Sequence, residues 1–186
     1  KLECDSLRLY DLLNDPEFTS QYGFNTTTIL TLFLPNTYQF NWATEEEAVV
    51  QRMADEYKKF WTDERKAKAA ALNLSQSEVA ILASIVQAEQ SVHSDERAKV
   101  AGLYINRLRI PMKLQSDPTL IYGLGDFSIR RVLNRHKEIN SPYNTYKHYG
   151  LPPGPINLPS IKSLDAVLNY EQHDYIYMCA KEDFSG

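Results

Sequence analysis

Glu89 is the residue of this chain whose type and position best suit acid–base chemistry. It follows Val79, Leu82, Ile85 and Val86 at steps of three and four, so it falls on the apolar stripe of a helix. A carboxyl group on such a stripe loses hydration, which penalises the charged form and raises its pKa. A carboxyl that keeps its proton at neutral pH can donate it, for example to a glycosidic oxygen. Blander readings stand beside this one. The helix could end at Glu89 and let it meet solvent, or Arg97 or Arg107 could pair with it. Gln87, two positions earlier, projects to the far side of the helix.

Three downstream segments carry groups that suit a sugar-binding cleft. Leu114-Gln115-Ser116-Asp117-Pro118-Thr119 puts an amide and a carboxylate at the entry to a short helix, although Asp before Pro is also a routine N-cap. In Ser141-Pro142-Tyr143-Asn144-Thr145-Tyr146, Pro142 stiffens a loop that offers Asn144, Thr145 and Tyr146 as donors and acceptors. Gly150-Leu151-Pro152-Pro153-Gly154-Pro155-Ile156 fixes a rigid turn, read chiefly as a structural wall. The 12 tyrosines add flat apolar faces with hydroxyl tips, which fit sugar rings as well as ordinary cores.

The elements that must position these groups are mostly helical. Ser6 to Leu13 reads as a short helix, and Thr31 to Phe40 as strand and turn around Pro35-Asn36. Thr44 and Glu47 suggest a capping box opening a long helix towards Ala71, with Val49, Met53, Tyr57, Phe60 and Trp61 inward. Ser75 and Glu78 form a second capping box at the head of the Glu89 helix. A third helix starts near Ser94, takes Asp95 and Glu96 into its first turn, and buries Val100, Ala101, Tyr104 and Leu108. Met112 to Gln115 is extended, and the helix opened by Asp117-Pro118 stops at Gly123 or Gly125. Residues 126–140 are ambiguous between helix and strand. Ser160 caps a last helix to about Asn169, and Tyr175 to Ala180 reads as a strand. The fold class predicted is α+β, helix-rich with small strands.

At 186 residues the chain fits one domain with a real core. A net charge of −4 without a basic stripe argues against nucleic acid. Cys4 and Cys179 match no metal spacing and leave a bridge undecided, and the four histidines form no close pair, so no metal is expected. No apolar run approaches a membrane span, no signal peptide is visible, and the opening at Lys1 suggests an excised fragment.

Taken in order, several segments resemble one family. They are Ala83-Ser84-Ile85-Val86-x-x-Glu89, Tyr104-Ile105-Asn106-Arg107-Leu108, Leu114-Gln115-x-Asp117-Pro118-Thr119, Tyr122-Gly123, and the Ser141–Tyr146 and Gly150–Ile156 runs. Together they are similar to the YceG-like (MltG) endolytic murein transglycosylases. Phe33-Leu34-Pro35-Asn36-Thr37-Tyr38 is similar to that family's Phe-x-Pro-Asp-Thr-Tyr segment. The resemblance implies residues 33–186 as a catalytic domain, truncated at its C-terminus, after a lead-in over residues 1–32. It also implies a lytic-transglycosylase-like active-site helix with Glu89 as the catalytic acid.

The implied reaction cleaves the β-1,4 bond between N-acetylmuramic acid and N-acetylglucosamine and leaves a 1,6-anhydro end, with no cofactor. Many members carry Glu-x-Glu where this chain has Gln87-Ala88-Glu89, so the first acid of that pair cannot act here. Gln115, Asp117, Tyr122, Asn144 and Tyr146 are the substrate-binding candidates, with Asp117 orienting the others. The implied partners are peptidoglycan glycan strands and, as candidates, cell-wall synthases. The implied location is the extracytoplasmic face of a bacterial inner membrane, reached through an anchor that this fragment lacks. A non-catalytic glycan-binding module and a two-carboxylate muramidase using Glu96 or Asp117 are the alternatives.

Overall fold

The computed structural model describes residues 4–179. Its centre is a helix that is buried on every side over most of its length. This helix, α5 (Gln76–Glu89), buries every residue from Val79 to Val86, more than the single stripe that its spacing predicts. Its start is as predicted: the Ser75 side chain accepts from the Glu78 N–H while the Glu78 carboxylate accepts from the Ser75 N–H. Against α5 pack α4 (Asp63–Ala71), α6 (Arg97–Arg109), α7 (Asp117–Leu124), α8 (Ile161–Leu168) and a 3-10 turn at Ile29–Leu32. On the N-terminal side, α1 (Ser6–Asn14) and α2 (Pro16–Ser20) lead to α3 (Glu46–Phe60), on which α1 rests. The core joins Ile29 and Leu32 to Val50, Met53, Trp61, Leu82, Ile85, Val86, Tyr104, Leu114 and Leu164.

No β-strand occurs among the described residues, so the α+β expectation is corrected to an all-helical fold. A strand needs a backbone partner, and neither predicted strand has one. Ile29–Leu32 coils into the 3-10 turn instead, and the chain through Pro35 to Phe40 is irregular. Residues 175–179 are captured by side chains rather than by a neighbouring strand. Asn106 Nδ2 donates to the His173 and Tyr175 carbonyls at 2.6 and 3.1 Å, and Arg107 Nε donates to the Ile176 carbonyl at 2.7 Å. Ala180, the predicted end of that strand, lies outside the described residues. Residues 126–140 form turns and one 3-10 helix at Asn134–Glu138.

Three helix boundaries also differ. The capping box of Thr44 with Glu47 does not form, because the Thr44 hydroxyl donates to the Asn41 carbonyl and Glu47 faces Arg8. The helix expected to reach Ala71 breaks at buried Trp61, where the Thr62 hydroxyl caps α4 and Arg65 donates to the Phe60 carbonyl. The third helix begins at Arg97, leaving Asp95 and Glu96 ahead of its first turn. The last helix is as predicted, capped by Ser160. Cys4 and Cys179 are both free thiols.

Gly102 on α6 marks the closest approach of the C-terminal segment. A Cβ there would lie 2.2 Å from the Glu171 carbonyl oxygen and 2.8 Å from His173 Nε2. Gly102→Ala must therefore push that segment off α6, at a cost of about 1–3 kcal/mol for overpacking. The expected result is a lower melting temperature with faster amide exchange at residues 171–176. An unchanged melt would show that the segment is not held there.

Candidate functional site

Glu89 is the last residue of α5, partly exposed, where the buried helix reaches the surface. Its Oε1 accepts two hydrogen bonds, from the Tyr104 hydroxyl at 2.8 Å and the Ser116 hydroxyl at 2.6 Å. Burial raises the carboxyl pKa above its usual range. The Ser116 and Tyr104 hydroxyls partly oppose that rise, Asp117 adds to it, and Arg107 pulls weakly downward. Tyr104 stays protonated, its pKa pushed well up by burial and then by the charge of Glu89, so it remains a donor. Oε1 thus accepts two O–H donors, which favour the charged carboxylate while burial favours the neutral carboxyl.

Neither expected arginine neutralises Glu89 by direct contact. Arg97 donates to the carbonyls of Gln90 and Ser91 and to the Ser163 hydroxyl, at 2.8, 3.3 and 3.0 Å. Arg107 is buried and donates to the carbonyls of Ile176 and Leu114, its guanidinium 5.9 and 5.5 Å from the ring centres of Tyr104 and Tyr177. Gln87 points away, as predicted. Its Oε1 accepts from the Ser160 N–H and the Ser163 hydroxyl, both at 2.8 Å, and so ties α5 to the head of α8.

The segment bearing Ser116 is held by Thr145. Gln115 N–H donates to the Thr145 carbonyl, Ser116 N–H to the Thr145 hydroxyl, and the Thr119 and Thr145 hydroxyls lie 2.8 Å apart. Gln115 sits at φ +52°, a left-handed conformation that costs a non-glycine residue about 1 kcal/mol and leaves its side chain exposed. Ser116, not Asp117, is the N-cap of α7, yet its hydroxyl makes no cap bond because it is spent on Glu89. Asp117 is the first helical residue, and its Oδ1 accepts from the Tyr146 hydroxyl at 2.5 Å.

The substrate-binding candidates thus separate into two groups. Asp117 and Tyr146 share a hydrogen bond beside Glu89, whose charge is among the influences that raise the Tyr146 pKa. Gln115 is exposed one residue before Ser116, and Tyr122 packs against Tyr143 with ring centres 4.7 Å apart. Asn144 is different. It is fully buried, its Nδ2 donates to the carbonyls of Lys137 and Ile139, each at 2.9 Å, and its Oδ1 accepts from the Tyr146 N–H. Both ends of its amide are therefore used inside the protein.

Sequence reasoning did not single out Tyr104 or Ser116 as partners of Glu89. The available signal was their place inside motifs already recognised, Tyr104-Ile105-Asn106-Arg107 and Gln115-Ser116-Asp117. The rigid turn is fastened to the same helix: Ile156 N–H donates to the Ser84 hydroxyl and Asn157 to the Ser84 carbonyl, at 3.0 and 2.8 Å. A cavity of about 740 Å³ lies along the far end of α5 and α6, among Leu74, Ile81, Leu108 and Leu151, and Glu89 does not line it. Among the described residues no group of three or more His, Cys, Asp or Glu side chains could hold a metal ion.

The sequence model of the YceG-like family matches residues 5–186. A protein of Bacillus subtilis (strain 168) named endolytic murein transglycosylase is 36% identical over 150 residues, which cover 80% of this chain and 41% of that protein. A protein of the same name from Streptococcus pneumoniae (strain ATCC BAA-255 / R6) is 31% identical over 153 residues, covering 78% of this chain and 27% of that one. The chain therefore spans less than half the length of these relatives. A crystal structure of a protein described as yceG-like, from Listeria monocytogenes, superposes with a TM-score of 0.78 at 27% identity, covering 96% of this chain and 62% of that one.

The raised pKa of Glu89 sets a sign for stability against pH. Between the usual carboxylate range and its raised value, the native state keeps a proton that the unfolded chain has lost, so stability falls as pH rises through that window. Glu89→Gln keeps a carbonyl oxygen for Tyr104 and Ser116 and cannot ionise. It should melt above the wild type at neutral pH, with the gain vanishing as pH drops below the usual carboxylate value. Parallel melts across that range test this, and a variant less stable at pH 7 would contradict it.

Proposed function

The chain belongs to the YceG-like family, and from that membership we propose that it is the catalytic part of an endolytic peptidoglycan lytic transglycosylase. The observation that carries the proposal is a single carboxyl at the end of a buried helix, with two hydroxyls on one oxygen and, among the described residues, no cation in contact. The similarity to two proteins named endolytic murein transglycosylase supports it.

In the proposed reaction, the carboxyl proton of Glu89 passes to the oxygen bridging N-acetylmuramic acid and N-acetylglucosamine. The C1–O bond then breaks, and positive charge at C1 is relieved by the sugar's own ring oxygen and 2-acetamido group. The Glu89 carboxylate, stabilised by Tyr104 and Ser116, takes the proton from the C6 hydroxyl as O6 closes on C1. Acid becomes base and no water is consumed. Intramolecular attack gains from proximity, which removes the need for the second carboxylate of an ordinary glycosidase.

Gln115, Asp117, Tyr122 and Tyr146 are proposed to line the saccharide site, and Asn144 to fix the loop that presents Tyr146. The domain's action on the extracytoplasmic side of the membrane, a membrane anchor in the whole protein, and cell-wall synthases as partners belong to the same proposal.

Glu89→Gln is expected to reduce cleavage of purified sacculi by at least ~10²-fold while glycan binding persists. Mass spectrometry of the wild-type digest should find 1,6-anhydro-N-acetylmuramic acid ends. Reducing muramic acid ends would instead assign a muramidase with Asp117 or Glu96 as its second acid. Binding without cleavage by the wild type would assign a non-catalytic module.

A further inference from the structure

The loop between α7 and the Ser141–Tyr146 segment carries a charge pattern that acid catalysis does not use. In a chain of net charge −4, Arg130, Arg131, Arg135 and Lys137 cluster in this one loop. The three arginines are exposed, and none has a carboxylate partner among the described residues. Elsewhere Arg8, Arg52, Lys59, Arg65, Lys66 and Lys68 are ion-paired, and exposed Arg109 donates to the Tyr170 hydroxyl.

The acids of the loop are engaged elsewhere. Asp126 accepts from the Ser128 N–H and hydroxyl, and Glu138 pairs with Lys147 at 3.4 Å. The loop is also anchored rather than trailing. The buried Asn144 amide holds the carbonyls of Lys137 and Ile139, and the Leu133 N–H donates to His136 Nδ1. Lys137 lies 4.8 Å over the ring of Tyr146, whose hydroxyl donates to Asp117 beside Glu89. Lys137 therefore meets the candidate site, and Arg130, Arg131 and Arg135 precede it in the same loop.

Arg135 Nε donates to His136 Nε2 at 3.2 Å, which leaves the rest of its guanidinium free of a carboxylate; neutral sugar hydroxyls would not need three such groups, whose planar fork suits carboxylates. We propose that Arg130, Arg131 and Arg135 form a subsite for the carboxylates of the peptide stems that hang from the muramic acid residues of a glycan strand. This rests on the peptidoglycan reading above, and it makes recognition of the strand depend on its peptides as well as its sugars.

The test uses the full chain carrying Glu89→Gln, so that binding is read without cleavage. It compares glycan strands bearing stems with the same strands stripped by an amidase. Stem-bearing strands should bind more tightly, and the preference should weaken as salt rises. Replacing the three arginines with serine should weaken binding to stem-bearing strands about tenfold, towards the level of stripped strands, as loss of a few surface charge pairs allows. The corresponding Arg→Lys variant should restore part of the preference.

Equal binding of both strand types, or an equal loss on both in the serine variant, would overturn the inference. So would binding of the wild-type loop to phosphatidylglycerol vesicles with no preference for stems, which would assign the patch to a membrane surface. If the wild-type chain makes no anhydro ends yet the stem preference holds, the catalytic reading fails and the subsite stands.

Discussion

The partial burial of Glu89 at the end of a helix packed on every side is the constraint on which the rest of the site depends. Burial favours the neutral carboxyl, whereas the hydroxyls of Tyr104 and Ser116 favour the charged one. An acid that must give up a proton and then take one back needs both influences. Burial alone would hold the proton too tightly, and hydrogen bonds alone would release it into solvent. The proposed chemistry lives in that balance.

The surrounding structure keeps the two hydroxyls where the balance requires them. Tyr104 comes from α6, which is buried against α5 and α8. Ser116 comes from an irregular segment, so its position has to be imposed from outside. Thr145 binds that segment through its carbonyl and hydroxyl, and Arg107 binds the Leu114 carbonyl just ahead of it. Arg107 also grips Ile176, so one buried guanidinium joins the C-terminal segment to the loop that presents Ser116. The left-handed backbone at Gln115 is tolerated because these contacts over-determine it.

What the sequence made legible was local. The capping box at Ser75 and the N-cap at Ser160 depend on a few neighbouring residues and stand where their patterns put them, and of the two candidate stops, Gly123 and Gly125, the structure uses Gly125. The placement of Glu89 on α5 followed from spacing alone. The strands failed because β-propensity cannot show whether a partner exists, and Asn106 and Arg107 took the carbonyls that a second strand would have needed. Ser116 was invisible because a serine before Asp-Pro looks like an ordinary cap, and only the fold brings its hydroxyl to a residue 27 positions away. Asn144 shows the opposite limit: an amide in a tyrosine-rich loop resembles a sugar ligand, and its burial is a property of the packed structure that no local pattern carries.

Glu89 is thus an acid whose proton is favoured by burial and moderated by two hydroxyls. The most direct test is a ¹³C NMR titration of the Glu89 carboxyl in the intact protein, assigned by the loss of that signal in Glu89→Gln. The account predicts a midpoint clearly above the usual carboxylate range, moving higher still in Ser116→Ala. A midpoint near the unperturbed glutamate value of about 4.3, unmoved by Ser116→Ala, would contradict it.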